Sequence, residues 1–216
     1  MRKKIKGFTL AEVLIALSAV AILAALVLPG VVKDAQNKAM ISLLQGTISN
    51  LNDVMQSEIT NKNAKVLSDT SFGTKEFFEK MDAVQIETTN PESLFASSYT
   101  LIGGNTSSVS GSNISAKLKN GVVIGIILGK DNEVARHHII VDVNGQKGPN
   151  ILGVDYFYMS VANKTTRSGS IYNASIGDIG CMSWGDNYVN ECINSGEKSC
   201  YCALLQSGFD PKYLEK

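Results

Sequence analysis

Residues 6–17 read KGFTLAEVLIAL, and they place one carboxylate, Glu12, inside an apolar run that extends from Phe8 to Leu28. A charge inside a membrane-length apolar segment is costly, roughly 2.5–3.5 kcal/mol on insertion scales. The run corresponds to about 31 Å of helix, enough to cross a hydrocarbon core. Arg2, Lys3, Lys4 and Lys6 precede it, and basic flanks keep an N-terminus on the cytoplasmic side. Three readings compete. A plain membrane anchor leaves Glu12 unexplained. So does a secretory signal with Ala19-Val20-Ala21 as its cleavage site. A cut between Gly7 and Phe8 explains it. The new ammonium of Phe8 then lies four residues from Glu12, on the same helical face, and a helix N-terminus favours a carboxylate in its first turns. In an assembly, Glu12 of one subunit would instead neutralise the Phe8 ammonium of its neighbour and so set the register of packed apolar helices.

The chain has 216 residues, 44% hydrophobic and 19% charged, with 20 basic and 20 acidic side chains. Setting aside the four basic residues of the leader leaves 16 basic against 20 acidic. A mildly acidic body lacks the basic stripe of a nucleic-acid binder.

The stretch KGFTLAEVLIALSAVAILAALVLP, residues 6–29, resembles the N-terminal signature of type IV prepilins and of the pseudopilins of type II secretion. The matching features are a basic leader ending in Gly7, then Phe8, Glu12 four residues later, and Pro29. The resemblance covers about the first 60 residues. It implies cleavage after Gly7 by a prepilin peptidase, N-methylation of Phe8, and an assembly role for Glu12 and Pro29. It also implies the partners: other pilin or pseudopilin subunits and an inner-membrane assembly platform. The implied location is the bacterial cytoplasmic membrane, single-pass, with the globular domain outside the cytoplasm. After assembly that becomes a periplasmic pseudopilus or a cell-surface pilus.

Pro29 has no N–H, so the Ala25 carbonyl loses its helical partner, and Gly30 weakens the helix further. Beyond them, Met40, Leu43, Leu44, Ile48, Leu51, Val54, Met55 and Ile59 recur at helical spacing. The pattern predicts one long helix from Phe8 to Thr60, kinked at Pro29, whose second half lays an apolar stripe on a globular domain. Further on, Thr74 is a candidate cap for a short helix, Lys75 to Met81, burying Phe77, Phe78 and Met81. GGNTSSVSGSN, residues 103–113, is a loop composition without the Lys and the strand-to-helix context of a P-loop.

The period then changes. ISAKLKNGVVIGIILG predicts two strands joined at Asn120-Gly121, EVARHHIIVDVNG a third and VDYFYMSV a fourth. His137 and His138, adjacent in a strand, face opposite sides, so they do not form one metal site. DVNGQKGPNILGVDYF, residues 142–157, is rich in turn formers. Asp142, Asn144, Asn150 and Asp155 also offer oxygens of the kind Ca²⁺ takes, and some pseudopilins, which this run resembles, bind calcium near here. The run lacks full EF-hand spacing, so turn structure is the first reading and a calcium site the second. No other cofactor is indicated.

Cys181, Cys192, Cys200 and Cys202 all lie near the C-terminus. Outside the cytoplasm disulfides persist. Zinc is disfavoured because no His lies near and paired C-x₂-C knuckles are missing. Four cysteines allow three connectivities. Cys200 and Cys202 are too close to bridge each other, so each is expected to join Cys181 or Cys192. Trp184, Tyr188 and Tyr201 in the same segment read as packing residues first and as an exposed contact surface second.

The expectation is an α+β, pilin-like chain. Residues 1–7 are a cleaved leader, 8–32 the membrane or filament-core helix and 33–60 its amphipathic continuation. Residues 61–113 connect helix to sheet, 114–161 form an antiparallel sheet of about four strands, and 162–216 hold the cysteines. No catalytic constellation stands out, so the expected function is structural. The alternatives are a minor tip subunit acting as a binding module and an ordinary secreted or anchored protein.

Overall fold

The computed structural model describes residues 9–104, 106–107, 111–129, 136–165, 174–181, 187–195 and 200–210. The chain divides into two compact units, Met1–Ala39 and Met40–Lys216.

Helix α1 spans Leu10–Lys62, 53 residues, with Pro29 inside it. The lost Pro29 N–H does not end the helix, which continues through it. In the first unit Leu10, Leu14, Ile15, Leu17, Ile22, Leu23, Leu26 and Leu28 are all exposed. The helix has the length and composition to cross a membrane.

In the second unit the same helix is amphipathic. Ile41, Leu44, Ile48, Leu51 and Met55 are buried. Their steps of three and four residues line one face. A fully buried Leu at such a site contributes about 1.5–3 kcal/mol.

This stripe packs on a six-stranded antiparallel sheet. After α2 (Lys75–Lys80) come β1 (Ala83–Glu87), β2 (Tyr99–Thr100), β3 (Thr106–Ser107), β4 (Ile114–Leu118), β5 (Val123–Ile127), β6 (Arg136–Asp142), β7 (Tyr156–Ala162) and β8 (Ile179–Gly180). Two short helices, α3 (Tyr188–Ser195) and α4 (Cys200–Gln206), close the described chain. The order in the sheet is β1-β4-β5-β6-β7-β8, and β2 pairs with β3 separately.

Both faces of the sheet are covered. Ile124, Ile126, Ile139, Val141, Phe157 and Met159 join the α1 stripe in one cluster. Their strand neighbours Val123, Ile140, Tyr156 and Tyr158 pack with Leu94, Phe95, Tyr99 and Leu152 in another. Alternation sends successive side chains to opposite faces, so two covers require apolar residues at nearly every position. At Gly125 the second cover comes close to the sheet, since a Cβ there would stand 3.1 Å from the Phe95 ring.

The four predicted strands are β4 to β7, and Asn120-Gly121 makes the β4–β5 turn with Gly121 at φ +90°. The strand count needs correction. Two further strands, β1 and β8, complete the sheet. β8 is only two residues long, too short for a period, and β1 carries a register shift between Ala83 and Gln85 that breaks its alternation. The predicted loop 103–113 contains β3. Phe77, Phe78 and Met81 are buried as expected. Thr74 occupies the N-cap position of α2, but its hydroxyl donates to the Ser71 carbonyl at 2.6 Å and caps nothing.

His137 and His138 do face opposite ways. His137 is buried and its Nδ1 accepts the Gly129 N–H at 3.0 Å, while its Nε2 meets Asn163 Oδ1 at 3.1 Å. An amide oxygen only accepts, so the proton sits on Nε2 and the ring is neutral. His138 is half-buried against the Tyr158 ring.

The buried stripe of α1 ends in a carboxylate, Glu58. It pairs with Lys80 and with Lys62, the latter at 3.2 Å, and accepts the Ser71 N–H at 3.0 Å. Burial works against its ionisation, but the hydrogen bonds from Lys80, Ser71 and Lys62 outweigh burial and hold the carboxyl at about 2. A pKa below the unfolded value contributes stability above pH 4.5 that is lost as pH falls toward 2. Thermal melts of the full chain in detergent should show that acid loss, and Glu58→Gln should melt lower at pH 7 and lack the loss below pH 4.5. An unchanged acid limb in the variant would contradict this account of Glu58.

Candidate functional site

The helix start is built by two side chains. Thr9 is the residue before α1, and Glu12 is in its first turn. The Thr9 N–H and hydroxyl both donate to Glu12 Oε2, at 2.8 and 2.9 Å, and the Glu12 N–H donates to Thr9 Oγ1 at 3.2 Å. This is a capping box, in which residues three apart satisfy each other's orphan N–H groups. The sequence carries the signal as T-x-x-E at residues 9–12, a partner for Glu12 besides the Phe8 ammonium. The other hydroxyl in the apolar run is also satisfied internally, since Ser18 Oγ donates to the Leu14 carbonyl at 2.8 Å. A surface bound for an apolar environment must settle its polar groups this way. Gly7 and Phe8 lie outside the described residues. Pro29 is exposed within the helix.

The turn between β6 and β7 brings Asp142, Asn144, Asn150 and Asp155 together. Asp142 Oδ1 accepts the N–H groups of Asn144 and Gly145, at 3.1 and 2.8 Å, and its Oδ2 accepts the Tyr99 hydroxyl. Asp155 Oδ1 accepts the Ile151 N–H at 2.7 Å. Its Oδ2 accepts the Asn150 N–H at 2.7 Å and Asn144 Nδ2 at 3.3 Å. Three of the four carboxylate oxygens therefore serve the turn, and the fourth, Asp142 Oδ2, holds Tyr99 of β2. Asn144 Oδ1 and Asn150 Oδ1 are buried without a hydrogen-bond partner. Among the described residues no three His, Cys, Asp or Glu side chains gather as a metal-binding group.

Burial pushes Asp142 up to about 7, helped by the charge of Asp155 and opposed by the bonds from Tyr99, Asn144 and Gly145. Asp155 is raised as well, burial again being the main cause.

The cysteines form a third cluster. Cys192 of α3 and Cys200 of α4 make a disulfide. It sits over Gly153, at φ +87°, where a Cβ would stand 2.9 Å from both sulfurs. Cys192 is one of the two partners expected for Cys200, and Cys181 and Cys202, which carry no bridge in this structure, hydrogen-bond to each other. Tyr201 is buried and Tyr188 packs against the core. Trp184 lies outside the described residues.

Residues 2–28 match the family described as the prokaryotic N-terminal methylation motif. The match contains Gly7, Phe8 and Glu12 and stops one residue before Pro29. No curated protein and no solved structure matches the chain. Similarity therefore bears on the helix start and leaves the second unit to its own geometry.

A raised carboxyl pKa makes the folded state bind more protons than the unfolded chain. Asp142 therefore contributes stability that is full below pH 3.8 and is lost as pH rises through 7. A shift of that size corresponds to a loss on the order of 4 kcal/mol. Asp142→Asn keeps an acceptor for Asn144 and Gly145 and a donor toward Tyr99. Denaturant melts from pH 4 to 7.5 should show wild type losing stability relative to this variant. A parallel pair of curves would contradict a buried, protonatable Asp142.

Proposed function

We propose that a chain opening on this methylation motif is a filament subunit of the type IV pilin and type II secretion pseudopilin kind. The observation that carries the reading is the state of α1. Within the motif and just beyond it, its large apolar residues from Leu10 to Val32 stand exposed. Such a surface, at about 25 cal/mol per Å², does not stay in water. Lipid covers it before assembly, and neighbouring helices cover it afterwards.

The basic leader remains in the cytoplasm, the apolar helix spans the inner membrane, and the second unit lies outside the cytoplasm. A prepilin peptidase cuts after Gly7, and Phe8 is N-methylated. An assembly platform then moves the subunit from the bilayer into a helical array of other subunits. Head-to-tail contacts that do not close generate such open filaments.

Glu12 has two roles in this scheme. Within its own chain it caps the helix through Thr9. Among the described residues both of those bonds fall on Oε2, which leaves Oε1 for the Phe8 ammonium of a neighbour. Without that partner, each added subunit would bury an uncompensated cation, at a cost of several kcal/mol.

The test is the mature N-terminus. Intact mass and N-terminal sequencing of protein from the membrane fraction should give a chain beginning at N-methylated Phe8. A chain beginning after Ala21 would mark an ordinary secreted protein and overturn the proposal.

A further inference from the structure

A cleft at the turn end of the sheet gathers positive charge. Its volume is about 740 Å³, and it lies among the β4–β5 turn, the β6–β7 turn and the 3-10 turn Pro91–Leu94. Lys117, Lys119 and Lys147 line it, and among the described residues no carboxylate does. The chain beyond its leader is net acidic, so three ammonium groups around one cleft run against the surrounding charge. Among the described residues Lys117 and Lys147 make no ion pair. Lys119 meets Asp82 at 3.4 Å with both side chains largely exposed, and a surface pair of that kind is worth little and yields readily to another anion.

The strand register brings Lys117 to this place. It lies opposite Gln85 of β1 on one side and Val123 of β5 on the other, and residues opposite each other share a face of the sheet. Val123 belongs to the same apolar cluster as Leu94, so Lys117 stands at the margin of that cover. The walls are tied together within the chain. Gln146 Nε2 donates to the Ser93 carbonyl at 2.7 Å, and the Val122 N–H donates to Asn120 Oδ1 at 3.2 Å. A Cβ on Gly145 would stand 3.4 Å from the Gly121 carbonyl, so the two strand turns touch.

We infer that this cleft binds an acidic saccharide, a short glycan whose rings carry carboxylate or phosphate groups. Its volume falls in the range of small-ligand sites, roughly 300–1,000 Å³. The three ammonium groups take the anions through charge-assisted hydrogen bonds. Gln85 and Asn120 add amides for sugar hydroxyls, and Leu43 adds apolar surface for ring carbons. Among the described residues no aromatic side chain lines the cleft, so it lacks the stacking platform on which single-stranded nucleic acids are held. Charge on a non-aromatic frame is what the lining selects.

Binding is measured on the full chain in a non-ionic polyoxyethylene detergent, which carries no sugar, and so stands apart from the filament reading. Calorimetric titrations use trigalacturonate, glucose 1,6-bisphosphate, neutral maltotriose and a short single-stranded DNA. Saturable binding of trigalacturonate or of the bisphosphate is expected, and the tighter of the two identifies the anionic group as carboxylate or phosphate. Maltotriose should not bind. Lys117→Gln/Lys147→Gln should weaken binding about 10-fold or more. Lys65→Gln/Lys75→Gln removes the same charge elsewhere on the second unit and should change it by less than about 2-fold. All four of these lysines are exposed, so thermal melts of both variants should match wild type. No saturable binding of either acidic saccharide, equal weakening by the two double variants, or tighter binding of the DNA than of both saccharides would overturn the assignment.

Discussion

The apolar surface of α1 between Leu10 and Val32 has no cover within the described chain. Much else follows from that constraint. Polar groups on this stretch have to be settled locally, which is what Thr9, Glu12 and Ser18 do through hydrogen bonds to residues three or four positions away. Beyond Ala39 the helix keeps its length but changes its pattern to one buried stripe, Ile41 to Met55. One continuous element thus serves two environments, and the change is written in side-chain spacing and not in a break of the backbone.

Two buried carboxylates show how surroundings decide charge. Glu58 is held ionised because Lys80 and Lys62 supply cations and Ser71 an amide. Asp142 is held toward its neutral form because it faces a hydroxyl, two amides and a second carboxylate, Asp155. Both are fixed by hydrogen bonds, yet they respond to pH in opposite directions. The first pins the end of α1 to α2. The second organises the β6–β7 turn beneath Tyr99.

The parts legible in the sequence are those with a long period or a specific turn. The helix showed in its 3.6-residue stripe, the β4–β5 hairpin in Asn120-Gly121, and β6 and β7 in apolar runs bounded by turn formers. The parts missed are short or depend on partners far away. β8 has two residues and exists because β7 offers it a ladder. β1 is an edge strand with an irregular register. The Cys192–Cys200 pairing depends on where α3 and α4 come to rest, which spacing does not specify. At the helix start the chemistry was legible and only half read. The position of Glu12 in an apolar run points to an ammonium, while the T-x-x-E spacing points to Thr9, which the structure shows bonded to it.

That second partner sharpens the central question, because a carboxylate that merely caps its own helix needs no neighbour. Glu12→Gln separates the two roles. Gln serves at this position of a capping box as Glu does, but it carries no charge to neutralise Phe8. The decisive measurement is a sheared-filament assay beside a cleavage blot, in cells making wild type or Glu12→Gln at equal levels. Intersubunit neutralisation predicts normal cleavage and membrane insertion of the variant with filaments lost or strongly reduced. Filaments at wild-type yield from Glu12→Gln would show that capping alone accounts for the carboxylate.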